Sequence, residues 1–292
     1  MSVSLTLPAD RREAEARADA LLREHRVTVA VVFPVVGAAL LLASATLPLP
    51  DWLAFNGWLV LFGTAVMRSP LVVGLAPVAD RRALAGVGLL AAYAYAVEYV
   101  GVHTGWPYGE FVYGVALGPT VAGVPLGLPV FFLPLVANAY LLCLLLLGGR
   151  AAHAPTRLAT VVGLVLLMDV VLDPGAVALG FWAYPGVPNA GAAGVLAGTG
   201  FYGVPPSNYA GWVLSATVAV VALDRSFDRE RLRRRLADCE FALDDMVSFV
   251  LLWGTVNVAF GNWLPALVAG GIAAGLVRAD RFDASLLRPE RS

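Results

Sequence analysis

The stretch LLMDVVLDPGAVALGFW, residues 166–182, has the composition of a membrane-spanning helix but carries two carboxylic acids, Asp169 and Asp173. Their i, i+4 spacing places both acids on one helix face. Acids inside a span cost about 2.5–3.5 kcal/mol on insertion scales, so they usually serve a function. Two like charges on one face repel each other, so at least one acid should hold a proton at neutral pH. Pro174 removes the hydrogen bond to the carbonyl of Val170, which leaves an acceptor for a water molecule.

The composition of the whole chain predicts an all-α, polytopic membrane helix bundle. Of 292 residues, 59% are hydrophobic and 14% are charged, against about 25% charged residues in soluble domains. All 20 basic residues are arginine, which excludes lysine Schiff bases and P-loop lysines. Three histidines are too few for a histidine-box iron enzyme. We therefore expect no cofactor. Ligand-type atoms occur on Glu98, His103, Asp169 and Asp173, but no tight spacing supports a metal site.

Eight apolar segments follow a polar N-terminal helix. They are residues 27–47, 52–67, 83–102, 129–147, 158–179, 208–223, 246–261 and 264–277. Because a span needs about 20 residues, the last two are either tilted spans or a re-entrant hairpin that turns at 261–263. The predicted organisation is a cytoplasmic helix at 1–26, one membrane-embedded catalytic domain at 27–278, and a cytoplasmic tail at 279–292.

The arginines fall on alternate connections between these segments. The N-terminal segment has five, residues 68–82 have three, 148–157 have two, 224–245 have six and 278–292 have four. The positive-inside rule therefore predicts a multi-pass protein of the cell membrane with both termini in the cytoplasm.

The two long outer connections, 103–128 and 180–207, contain no arginine and are rich in glycine, proline and aromatic residues. Irregular backbone of this kind is tolerated at membrane depth where it lines a cavity, so we interpret both as re-entrant lids. Depth along the helices predicts that the polar side chains meet in one outer cavity and that the inner halves are nearly all apolar. The residues concerned are Glu98, Asp169, Asp173, Asn138, Asn208, Asn56 and Asn257.

An acid in an apolar cavity can protonate an isoprenoid double bond and form a tertiary carbocation. Aromatic faces stabilise the cation, water adds to it, and a base removes the spare proton. The deeper Asp169 is the expected acid and Asp173 the expected base, with Glu98 as a third catalytic candidate. The substrate-binding candidates are Trp106, Tyr108, Trp182, Tyr184, Tyr202, Asn208, Trp212 and Asn138.

Three blocks, EYVGVHTGWPYGEFVYG (98–114), MDVVLDPGAVALGFWAYP (168–185) and FYGVPPSNYAGW (201–212), resemble the signature blocks of the membrane-integral carotenoid 1,2-hydratases of the CruF type. The resemblance implies hydration of terminal double bonds of an acyclic carotenoid without a redox cofactor. Haloarchaeal members hydrate bisanhydrobacterioruberin to the C50 pigment bacterioruberin, and bacterial relatives act on γ-carotene or lycopene ends. The implied partners are a carotenoid within the bilayer and the lipid itself, with other carotenoid-biosynthesis enzymes left open and no nucleic acid.

Two other functions remain open on the sequence. A membrane prenyltransferase or cyclase would bind diphosphate through magnesium, clustered aspartates and basic residues. Here the single aspartate pair lies on the arginine-poor side. A non-catalytic carotenoid-binding protein would add no water to its ligand, which an assay decides.

Overall fold

The computed structural model of the chain describes residues 10–50 and 52–281, and these residues are mainly helical. The predicted all-α fold class is therefore confirmed. The helices are α1 (Arg11–Glu24), α2 (Phe33–Thr46), α3 (Gly57–Leu75), α4 (Arg81–Thr104), α5 (Leu128–Leu147), α6 (Ala154–Leu179), α7 (Ala193–Leu196), α8 (Pro206–Ser226), α9 (Arg229–Asp238), α10 (Asp244–Ala259) and α11 (Trp263–Arg278). A π-helical turn, Thr28–Val32, leads into α2.

Every one of the eight predicted apolar segments coincides with a helix. Within the described residues, six helices are long and apolar enough to cross a membrane: Thr28–Thr46, Gly57–Val78, Arg81–Thr104, Leu128–Ala152, Ala154–Leu179 and Pro206–Ser226. The last two segments form helices of 16 residues each, α10 and α11. Gly261 joins them with φ +72, a left-handed conformation that glycine adopts without strain, so the turn lies where the sequence predicted it.

The ends of α4 and α6 determine how far along the bundle their acidic residues lie, Glu98 on α4 and Asp169 and Asp173 on α6. Asp80 caps α4 by accepting from the backbone nitrogen of Ala83. Both helices end at a glycine with positive φ, Gly105 at +73 and Gly180 at +76, which satisfies their last carbonyls.

The two long loops that the sequence places on the outer side, named the outer loops for that prediction, are joined to each other. Strand β1 (Val112–Tyr113) from the first loop pairs antiparallel with β4 (Trp182–Ala183) from the second. The nitrogen of Gly114 extends the ladder by donating to the oxygen of Phe181 at 3.0 Å. A hairpin of β2 (Thr120–Val121) and β3 (Val124–Pro125) lies within the first loop. The loops thus form one connected layer between the helix ends.

The prediction that the inner helix halves are nearly all apolar is wrong. Helix α3 continues to Leu75, so Arg68 lies inside the helix, where its Nη1 forms an ion pair with Oδ1 of the buried Asp245. Asn138 Nδ2 donates to the other oxygen of Asp245 at 2.5 Å. Arg26 pairs with Asp244, Nε to Oδ2, at 2.6 Å. The sequence did not reveal this cluster because Arg68, Asp244 and Asp245 lie close to the ends of apolar segments. They were therefore assigned to the connections 68–82 and 224–245.

Asn56 and Asn257 were expected in the outer cavity but instead bind backbone. Asn56 caps α3, accepting from Trp58 N at 3.0 Å. Asn257 Nδ2 donates to Val171 O at 2.7 Å, which ties α10 to α6 three residues before Pro174. The proline cannot donate to the preceding turn, so this bond from a neighbouring helix supports α6 at that point.

The joined loops give a first testable prediction. A Cβ at Gly114 would overlap the carbonyl oxygen of Gly180, whereas a Cβ at Gly163 on α6 would meet no atom within 4 Å. We expect Gly114→Ala to destabilise the protein by about 1–3 kcal/mol, the usual cost of overpacking, and Gly163→Ala to leave it unchanged or slightly more stable. Thermal unfolding in detergent compares them. Equal midpoints would mean that the loop pairing carries no stability.

Candidate active site

The two acids of α6 meet the first turn of α8 through one amide nitrogen. Asn208 Nδ2 donates to Asp169 Oδ2 at 2.9 Å and to Asp173 Oδ2 at 2.6 Å. All three side chains are buried. The i, i+4 spacing therefore does place both acids on one face, and both hydrogens of a single amide group bind them.

Tyr184, from the second outer loop, completes this cluster. Its hydroxyl lies 3.2 Å from Asp173 Oδ2 and 3.1 Å from Asn208 Oδ1. Burial raises the pKa of Tyr184, and the neighbouring Asp173 and Asp169 act in the same direction. The phenol therefore stays neutral and serves as a hydrogen-bond donor rather than as a base.

Asp169 has the more enclosed carboxyl of the pair. Its Oδ1 is buried and has no hydrogen-bond partner among the described residues. An ionised carboxylate oxygen without a donor is costly in such a place, and the charge of Asp173 one turn away adds repulsion. The geometry favours a pair that carries at most one negative charge.

Glu98 on α4 is the other acid of the site. The hydroxyl of Tyr113, on β1, donates to Glu98 Oε1. Burial raises the pKa of Tyr113, and the Glu98 carboxyl beside it contributes to the same shift. Each of the two acids at the cavity, Glu98 and Asp173, is thus held by a neutral tyrosine from a different outer loop.

These acids open into a cavity that holds about 1240 Å³ of space between atoms, part of it open to the surroundings. Helices α2 to α6, α8 and α10 and both outer loops contribute to its wall. Most lining side chains are apolar, among them Leu41, Val60, Ala94, Val97, Leu117, Leu128, Phe131, Leu135, Leu172 and Leu252. The predicted cavity with an acidic end is therefore present beneath the loops.

Two pairs of aromatic rings line the cavity. Trp212 stacks on Phe132 with ring centroids 5.5 Å apart. Trp253 meets Phe181 edge to face at 6.3 Å. A Cβ at Gly175 would lie 3.0 Å from Trp253 Cε3, so glycine at this position lets the ring approach α6 close to Asp173.

The structure brings most, not all, of the predicted site residues to this cavity. The cavity is lined by Glu98, Tyr108, Asp173, Trp182, Tyr184, Asn208 and Trp212. Asp169 lies behind Asp173 and reaches the cavity only through the shared amide. Trp106 is 60% exposed, and Tyr202 packs on Phe201 in the second loop. Asn138 belongs to the inner cluster around Asp245.

Several lining residues were not predicted from the sequence. They are Thr64, Arg68, Phe111, Tyr113, Phe132, Phe181 and Trp253. Tyr113 and Phe181 lie inside the quoted sequence blocks that also contain Glu98 and Asp173. This closeness in sequence to the acids could have identified them as site residues. Thr64 and Trp253 lie in apolar segments where the sequence does not reveal which side faces the cavity.

Metal ligands do not assemble around these acids. Across residues 10–50 and 52–281, no group of three or more histidine, cysteine, aspartate and glutamate side chains is arranged to hold an ion. His103 turns its Nδ1 to the carbonyl of Tyr99 at 2.8 Å on the exposed surface.

Comparison with known proteins gives two matches. The model of a family described as carotenoid biosynthesis protein matches residues 55–276. The bisanhydrobacterioruberin hydratase of Haloarcula japonica is 57% identical over 282 residues, which cover 96% of this chain and 92% of that protein. No solved structure matches the chain.

Proposed function

The chain belongs to the carotenoid biosynthesis protein family, and from this premise we propose that it adds water to the terminal double bonds of bisanhydrobacterioruberin to give bacterioruberin. The substrate follows the name of the relative that is 57% identical. The observation that carries the reaction is the apolar cavity with Glu98 and Asp173 at one end, each held by a neutral tyrosine.

The proposed reaction begins with a proton from the aspartate pair. Asp173 delivers it to one carbon of the terminal double bond, and the other carbon becomes a tertiary cation. Water bonds to the cation, and Glu98 accepts the proton that the added water loses. Proton transfer from Glu98 back to the pair through solvent restores the starting state, so the net change is the addition of one water.

Asp173 is the proposed acid because it lines the cavity and Asp169 does not. Depth along α6 had suggested Asp169 as the acid and Asp173 as the base, so this proposal moves the acid role to Asp173 and the base role to Glu98. Asp169 then acts through its neighbour: repulsion between two negative charges one helical turn apart keeps at least one proton on the pair. The indole faces of Trp182, Trp212 and Trp253 surround the reacting end, where they stabilise the cation.

A diphosphate-using prenyltransferase fits this site less well. The acids are bound to an amide and phenols, and no arginine lies at their end of the cavity among the described lining residues. A pigment-binding protein without chemistry would have no use for the unpartnered oxygen of Asp169. Incubation of purified protein with bisanhydrobacterioruberin in ¹⁸O-water separates these options, because only a hydratase yields labelled product.

We further propose eight membrane-embedded segments with both termini in the cytoplasm of the cell membrane. The proposed units are the polar helix at 1–26, the catalytic domain at 27–278 and the tail at 279–292, of which residues 1–9 and 282–292 lie outside the described part of the chain. Support comes from the one-sided arginine count. In this arrangement the acids lie in the outer half of the bilayer.

Single cysteines test this topology in intact cells. Leu196→Cys in the second outer loop, 93% exposed, and Thr120→Cys in the first should react with an impermeant maleimide. Arg234→Cys on α9 should react only after lysis. The native Cys143 and Cys239 are buried, so background labelling should be low. The reverse pattern would contradict the topology and the outer position of the site.

The acids are tested by substitutions that keep their shape. We expect Asp173→Asn to lower turnover by about 100-fold or more, the usual contribution of a general acid, because an amide donates no acidic proton. Asp169→Asn should also remove most activity, with a smaller fall, and Glu98→Gln should slow the reaction. Pigment mass spectrometry measures product, and Asp238→Asn on the surface of α9 is the control. Wild-type rates in both aspartate variants would make the pair structural.

The size of the cavity predicts a distributive reaction. On α3 the lining runs from Val60 to Arg68, a rise of about 12 Å, whereas a C50 rod roughly matches the 30 Å hydrocarbon core. Only one end of the rod enters. At the inner end, Asp245 is paired with Arg68 and does not line the cavity.

With limiting enzyme and excess substrate, the mono-hydrated pigment should accumulate first and then convert to the di-hydrated product. Samples taken over time and separated by chromatography show this order. Di-hydrated product from the first turnovers, with no free intermediate, would require a second catalytic site.

A further inference from the structure

The pairing of the two outer loops brings two polar aromatic side chains together at the cavity. In the ladder of β1 and β4, Tyr113 lies directly opposite Trp182. Residues directly opposite each other in an antiparallel pair point to the same face, with Cβ atoms about 4.5–5.5 Å apart. Both side chains line the cavity. Trp182 therefore lies beside the tyrosine whose hydroxyl binds Glu98.

The indole of Trp182 carries a hydrogen-bond donor that the fold does not use. Its Nε1 is buried and has no hydrogen-bond partner within residues 10–50 and 52–281. An indole N–H can only donate, and a buried donor without a partner is costly. The other tryptophans among the described lining residues, Trp212 and Trp253, are not left with a buried, unpaired nitrogen. A hydrogen-bond acceptor in the cavity would satisfy Trp182.

Glu98 presents a free acceptor at the same end of the cavity. The Tyr113 hydroxyl occupies its Oε1, whereas its Oε2 accepts no hydrogen bond from the described part of the chain. Glu98 also lines the cavity. A small molecule in the cavity can therefore receive a hydrogen bond from Trp182 and give one to Glu98.

Water is the reactant that fits these two groups. It accepts one hydrogen bond from the indole N–H and donates one to the carboxylate, which leaves a second lone pair for a new bond. That lone pair forms the carbon–oxygen bond with the cation, and the proton that the oxygen then loses goes to Glu98. The N–H lies in the plane of the ring and a cation lies over its face, so one indole can serve both.

We propose that Trp182 and Glu98 together hold the water molecule that captures the carbocation. This role rests on the proposed hydratase function. It assigns water capture to the joined outer loops and α4, whereas proton delivery belongs to α6. Without the Trp182 donor the cation still forms, but it is captured more slowly. It then loses a proton from a neighbouring carbon to Glu98, which leaves an alkene with a shifted double bond.

The test follows both fates of the cation in heavy water. Bisanhydrobacterioruberin is incubated with each protein in D₂O, and the pigments are separated and analysed by mass spectrometry. A captured cation gives an alcohol, whereas an uncaptured one gives a shifted alkene that retains the deuterium added by the acid. The ratio of deuterated alkene to alcohol therefore measures water capture independently of how fast the cation forms.

Two replacements of Trp182 separate its N–H from its ring. Trp182→Phe removes the donor and keeps an aromatic face. Benzothienylalanine at position 182 keeps the size of the indole and has sulfur in place of the N–H. The matched comparison is Trp253→Phe, which also shortens an aromatic side chain of the cavity wall. Thermal unfolding in detergent confirms that each protein is folded.

We expect both Trp182 replacements to form the alcohol about tenfold more slowly, the effect of losing one good hydrogen bond, and to raise the ratio of alkene to alcohol by a similar factor. Trp253→Phe should slow the formation of both products and leave the ratio at its wild-type value, because it weakens only the stabilisation of the cation.

A wild-type ratio in the Trp182 replacements would overturn the water-binding role and leave the ring as a cation-stabilising face. An equal rise of the ratio in Trp253→Phe would also overturn it, since the shape of the cavity would then explain the effect. If wild-type protein forms the deuterated alkene or no product, but never the alcohol, the hydratase function itself fails, and the water-binding role fails with it.

Discussion

Two acids that share one amide nitrogen set the conditions for the rest of the structure. Asn208 Nδ2 binds Asp169 and Asp173 together, so α6 and α8 must meet at this height. The pair lies in an apolar bundle and cannot carry two charges. A buried acid that keeps its proton can donate it, and the apolar cavity that admits a polyene also keeps the acid neutral.

The outer loops complete this arrangement because each supplies a phenol to one acid. Tyr184 reaches Asp173 and Tyr113 reaches Glu98, and the strands that carry or precede these tyrosines pair with each other. Any movement of one loop would therefore disturb the phenol contacts of both acids. Irregular backbone can lie at this depth because its polar groups bind within the loop layer and the loops cover a cavity.

The sequence predicted the lengths of the helices and the depth of their polar residues well, and it predicted the directions of side chains poorly. Asp169, Asp173 and Asn208 meet as expected, since helical spacing and depth determine where they lie. Trp106 and Asn138 were at suitable depths but face elsewhere, and Trp253 faces the cavity without having been predicted. In a membrane bundle the lipid-facing and the cavity-facing sides of a helix are both apolar, so hydropathy does not give its rotation. The rotation of a helix is determined by the side chains that pack against it, as where Gly175 lies against the Trp253 ring.

The proposed reaction requires that the acids be kept apart from the arginines. An arginine in contact with Asp173 would hold it ionised and leave no proton to donate. The structure uses amide and phenol groups there, and keeps Arg68 two turns below, neutralised by Asp245. At that distance the field of a paired cation is weak, so it neither ionises the acids nor opposes a carbocation. In the proposed reaction, the acids can therefore move protons at one end of the cavity, because the ion pair at the other end adds no net charge.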